Sequence, residues 1–109
     1  MDWTWVRDYI DVVDLIDWHL KSYKKLEDIK KWIFETYNLW VWKWISVLEI
    51  IKKTEKVVNK KINYKIVERR EWDLAEVYCN PEKAFKELWW KAKISLDESL
   101  ENSWRFYNK

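Results

Sequence analysis

Apolar positions fall along this chain in two alternating periods. Val6 to Ile10 is a short run of β-forming residues, read as a strand. Val13, Ile16, Leu20 and Tyr23 then recur at helical spacing, with Leu15 and Leu26 widening the stripe. That predicts an amphipathic helix over 12–26, with Asp11 as its N-cap. After a polar connection, Ile33 to Leu39 is rich in β-branched and aromatic residues and reads as a second strand. Trp40 to Trp44 has no comfortable local reading.

Ser46-Val47-Leu48-Glu49 is a capping box, in which hydroxyl and carboxylate satisfy the orphan N–H groups of a helix start. The helix it opens runs to about Asn59. Ile62 to Val67 alternates as a half-buried third strand. Asn80-Pro81 starts a helix through Leu88, with Asn80 as N-cap and Pro at the first helical position. Ser95 to Glu98 repeats the capping box and opens a last helix, apolar at Leu96, Leu100, Trp104 and Tyr107. About four helices and three short strands give a mixed α/β class with short connections, one unit over 1–109. Three strands make a small sheet whose second member lacks an obvious partner, which reads as a piece of something larger.

Composition changes this picture in one respect. The 109 residues contain no Gly, where average usage gives about eight, and they contain eleven Trp. Several turns therefore lack the one residue that takes positive φ without steric cost. The charge of +2 is too balanced for a nucleic-acid partner. No apolar run is long enough for a membrane helix, and no cationic-then-apolar leader opens the chain. The single Cys79 excludes an internal disulfide and suits a reducing compartment. The chain reads as soluble and cytoplasmic. His19 is the only His and cannot build a His-rich metal site; it reads as a helix-face side chain, and Cys79 as a small filler.

Three segments together carry a resemblance: VRDYIDVVDL at 6–15, ISVLEIIKKTEKVVNKKINYKIVERR at 45–70, and DLAEVYCNPEKAFKELWWKAKISLDESLENSW at 73–104. In order and without large gaps, they resemble the C-terminal part of the UDP-glucose 4-epimerase family of extended short-chain dehydrogenases/reductases. Against the family pattern the Trp anomaly becomes regular. Trp3, Trp5, Trp18, Trp32, Trp40, Trp42, Trp44, Trp72 and Trp89 fall where the family uses Gly, whereas Trp90 and Trp104 fall where it uses Trp. This is the pattern expected if a codon that the source genome reads as Gly, UGA, is rendered as Trp. Met1 is then an internal start within a longer reading frame. A literal Trp at a site needing positive φ or close backbone approach costs about 1–3 kcal/mol.

The resemblance implies an NAD-dependent parent enzyme, a homodimer in the cytoplasm, interconverting UDP-glucose and UDP-galactose. Its N-terminal Rossmann domain would bind NAD and supply the Tyr-x-x-x-Lys chemistry, so this segment would hold no catalytic residue and no cofactor. No Tyr here is followed four residues on by Lys. What remains is the grip on the sugar nucleotide. Arg7 and Arg70 would be the diphosphate ligands, for which planar guanidinium forks are suited. Asp73 would accept from the ribose hydroxyls, and Val77 would limit the sugar pocket, its modest bulk leaving room for an N-acetylated sugar. Asp11 stands where the family usually has His.

Without the resemblance, Arg7, Arg69 and Arg70 read as solvated surface charges and Asp73 as a turn residue. Two rivals remain at this point. One is a fragment of another nucleotide-sugar enzyme, such as a dehydratase or decarboxylase. The other is a non-enzymatic Trp-rich binding module, with WVWKW as its contact patch.

Overall fold

The computed structural model describes residues 6–41, 43–68, 70–72 and 80–109. The order of elements is β1 (Val6–Arg7), α1 (Val12–Glu27), β2 (Ile45–Ser46), α2 (Val47–Val58), α3 (Glu82–Leu88) and α4 (Leu96–Tyr107). β1 and β2 pair antiparallel, Val6 opposite Ser46 and Arg7 opposite Ile45.

The helices form where their end signals stand. Asp11 Oδ1 accepts from Val13 N at 2.8 Å and opens α1. At α2 the capping box is complete: Ser46 Oγ accepts from Glu49 N at 3.1 Å, and Glu49 Oε2 accepts from Ser46 N at 2.7 Å. Ser95 Oγ accepts from Glu98 N at 3.2 Å to open α4. Asn80 Oδ1 accepts from Glu82 N at 2.9 Å, although α3 itself begins at Glu82 and Pro81 sits at its boundary. Each such cap stabilises by about 1 kcal/mol.

The strand expectations need correction. The first run is a strand only at Val6–Arg7, and its partner is Ile45–Ser46, inside a stretch with no predicted strand. Residues 33–39 and 62–67 form no strand. Residues 33–39 are held by side chains instead. Lys25 Nζ donates to Tyr37 Oη at 2.7 Å, and Lys83 Nζ donates to Glu35 Oε2 and Thr36 O at 2.6 and 3.0 Å. β-propensity reports fitness for a pleated surface, and without a neighbouring edge it does not make a strand.

The core is built around α3. Ala84, Leu88 and Trp90 are buried, with Ile10, Trp18, Tyr37, Leu39 and Ala92 packed against them. Trp90 is 1 % exposed and its indole Nε1 donates to Asp14 O at 2.8 Å, so burial leaves no polar atom of that ring unsatisfied. Asp14, also buried, accepts from Lys93 N and Ile94 N. α2 and α4 pack together, with Lys53 Nζ on both Asp97 carboxylate oxygens at 2.9 and 3.0 Å.

α1 is turned contrary to the usual rule. Its buried side carries Asp14, while Val12, Val13, Ile16, Leu20 and Tyr23 point outward and are 52–64 % exposed. The stripe that predicted the helix is therefore not what this chain buries. Total accessible surface is 9396 Å², where a folded monomer of this mass exposes about 6,600 Å². The radius of gyration is 17.2 Å, against about 13 Å for a self-contained domain of this length. The apolar face of α1 is thus left open to solvent.

Candidate functional site

Two of the four candidate ligand residues lie among the described residues, and both are positioned by the start of α2. Arg7 sits in β1, half-buried, directly across from Ile45, and β2 runs straight into α2. Its Nη1 donates to Val6 O at 2.9 Å, which braces the guanidinium along its own strand. The neighbouring loop is drawn in close. Burial raises the Asp8 carboxyl above its ordinary value, although Val41 N donates to its Oδ1 at 3.3 Å. Burial likewise raises the Tyr9 phenol, with the positive charge of Arg7 opposing.

Arg70 lines a cleft of about 310 Å³ between the first turns of α2 and the extended segment 64–68. Val47, Leu48, Ile51, Ile66 and Val67 make an apolar wall, with Tyr64 beside it. This volume is at the lower end for small-molecule sites. An apolar wall with a guanidinium at its rim suits a ligand that is flat and uncharged at one end and anionic at the other. These wall residues carry no chemistry that marks them in the sequence. The alternation in 62–67, which predicts a strand, is instead the signal for this wall.

The remaining candidates, Asp73 and Val77, lie outside the described residues, as do Arg69 and Cys79. His19 is an exposed helix-face side chain with Nδ1 2.7 Å from Leu15 O. Among the described residues no group of His, Cys, Asp and Glu could hold a metal ion, and no helix is long and apolar enough to cross a membrane. The two strands among the described residues pair antiparallel, Val6 opposite Ser46 and Arg7 opposite Ile45.

No family model matches the chain. It is 42% identical over 108 residues to UDP-glucose 4-epimerase of Drosophila melanogaster, covering 99% of this chain and 31% of that protein. With the Mus musculus UDP-glucose 4-epimerase it shares 46% over 105 residues, 96% of this chain and 30% of that one. Among solved structures, the UDP-glucose 4-epimerase of Bifidobacterium longum in complex with NAD+ and UDP superposes with a TM-score of 0.82 at 41% identity. It covers 96% of this chain and 31% of that one. The enzyme from Stenotrophomonas maltophila, with bound NAD and formylated UDP-arabinopyranose, gives 0.85 at 33% identity, with 96% and 31% covered. The chain spans about a third of the length of these relatives, and the match is to their C-terminal part. In sequence and in fold, this chain is similar to the C-terminal part of UDP-glucose 4-epimerases.

Proposed function

We propose that this chain is the sugar-nucleotide-gripping portion of an NAD-dependent UDP-hexose 4-epimerase, acting with an N-terminal Rossmann portion outside the 109 residues. The observation that carries the reading is the similarity of nearly the whole chain, in sequence and fold, to the C-terminal part of enzymes solved with UDP. It favours this reading over a Trp-rich binding module. The placement of Arg7 and Arg70 about the start of α2 supports it. So does the outward apolar stripe of α1, which offers the N-terminal portion a face to cover.

Arg7 and Arg70 then hold the diphosphate, Asp73 the ribose hydroxyls, and Val77 bounds the sugar pocket with room for an N-acetylated hexose. The substrates are UDP-glucose and UDP-galactose. NAD supplies hydride acceptance and return at sugar C4, and its site belongs to the N-terminal portion. This chain contributes binding energy from the non-reacting UDP handle, which holds the sugar still for that transfer. The parent is a cytoplasmic homodimer in this reading.

The test is calorimetric titration of UDP into the chain joined to the N-terminal portion. Saturable binding is expected, with Arg7→Ala and Arg70→Ala each weakening it by about 1.5–3 kcal/mol, the range for a hydrogen bond to a charged group. Unchanged UDP affinity in both variants refutes the assigned roles.

A further inference from the structure

Six of the eight Trp among the described residues fall into two physical kinds. Trp90 is what a core Trp should be: enclosed, with its Nε1 bonded to Asp14 O. Trp104 packs half-buried on α4, stacked on Tyr107 at 5.8 Å between ring centroids. The second kind behaves otherwise. Trp72 and Trp89 have φ of 67° and 55°, the left-handed region, and are 94 % and 77 % exposed. Trp32 is fully exposed, and Trp18 buries its indole Nε1 without a hydrogen-bond partner.

The left-handed geometry is not incidental. Trp89 ends α3, and its own N–H and that of Trp90 turn back to Ala84 O. That reversal is what drops Trp90 into the core. Trp72 occupies the turn that follows Arg70. Both are backbone positions that favour Gly, because a Cβ there crowds the carbonyl oxygen. The third left-handed residue among those described, Asn59, is of the type that tolerates the region. A bulky aromatic is not. The chain also holds no Gly where about eight are usual.

We infer that positions 72 and 89 are Gly in the protein the source cell makes. They are encoded by UGA, whose meaning differs between genetic codes, while Trp90 and Trp104 are true Trp encoded by UGG. The turn after Arg70 then forms without a steric penalty, and an indole leaves the surface beside the Arg70 cleft. This inference stands on backbone geometry and composition, independent of what the cleft binds.

Peptide mass spectrometry on the protein isolated from its source decides it. The expected result is Gly at 72 and 89, and Trp at 90 and 104, within the same tryptic map. Trp at both 72 and 89 overturns the inference, as does Gly at 90. A second measurement uses the chain as written. Trp72→Gly and Trp89→Gly are each expected to shift the folding equilibrium about 5- to 30-fold toward the folded state, whereas Trp90→Gly abolishes folding. Loss of stability in Trp89→Gly also overturns it.

Discussion

Replacing Asp14 tests whether α1 is anchored through its polar side. Its carboxylate is buried and takes three contacts from two backbone donors: Lys93 N lies 3.1 Å from each oxygen, and Ile94 N lies 3.0 Å from Oδ2. Asp14 O also receives the indole N–H of Trp90. Asp14→Ala keeps the Trp90 contact, which is to the main chain, but strips both amides of their acceptor. An N–H left without its acceptor costs about 1–3 kcal/mol, so the pair puts the loss at about 2–6 kcal/mol. Asp14→Asn retains one oxygen for Lys93 N but turns an NH₂ toward Ile94 N, and should fall near half that loss. The control is Asp17→Asn. It breaks the Lys21 pair at 2.6 Å on the same helix, where both side chains stay solvated, and an exposed pair of this spacing is worth about 0.3–0.5 kcal/mol. Urea unfolding followed by far-ultraviolet circular dichroism reads all three. An Asp14→Ala variant within 0.5 kcal/mol of the parent refutes the anchoring role.

Ser46→Ala removes one half of the α2 capping box and leaves Glu49 N without its acceptor; a loss of about 1 kcal/mol in the same unfolding measurement is expected. Acid should weaken the fold in a defined window. Glu35 is held below the usual carboxylate range by its hydrogen bond from Lys83, Glu49 by the Ser46 amide and hydroxyl, and Asp97 by Lys53. Each binds its proton less readily folded than unfolded. The stability they lend is therefore present above their unfolded values, near about 4, and is lost as pH falls through the lower folded values. Asp8, raised by burial, runs the other way, so its opposition fades as acid is added. Urea midpoints taken downward from neutral pH should decline, and Glu35→Gln combined with Asp97→Asn should flatten that decline; an unchanged slope speaks against these pairs. Lys83→Met removes the tie to Glu35 and Thr36 O and the cation over the Tyr37 ring at 4.8 Å. Faster amide hydrogen exchange across 33–37, with α2 unaffected, is the expected outcome.

Helix existence was legible because helix ends are local. Asp11, Ser46, Asn80 and Ser95 each satisfy an amide two or three residues on, and no distant part of the chain is needed for that. Strands were not, because a strand is a relation between two segments. The alternation in 62–67 was real, yet it records an apolar surface that walls a cleft with Val47, Leu48 and Ile51 rather than a ladder. The candidate site was legible only through family resemblance. Nothing in the spacing of Arg7 and Arg70 places both about one helix start; β1 pairing with β2 sets Arg7 there, the cleft shared with segment 64–68 sets Arg70, and no local signal marked Ile45–Ser46 as a strand. Asp73 and Val77 fall outside the described residues.

α1 shows why periodicity gives a helix but not its orientation. An apolar stripe says that one face is to be covered, and it does not say by what. In a self-contained domain the only candidate is the domain's own core. Here the core takes the opposite face, through Asp14, the Trp90 indole and the amides of Lys93 and Ile94, and the stripe of Val12, Val13, Ile16, Leu20 and Tyr23 is left outward. A buried carboxylate needs fixed donors, and those come from backbone within this chain. An apolar stripe needs only area, and that can come from elsewhere. The two demands separate cleanly on one helix: the face with fixed donors is the one this chain buries, and the face that needs only area is the one it leaves open.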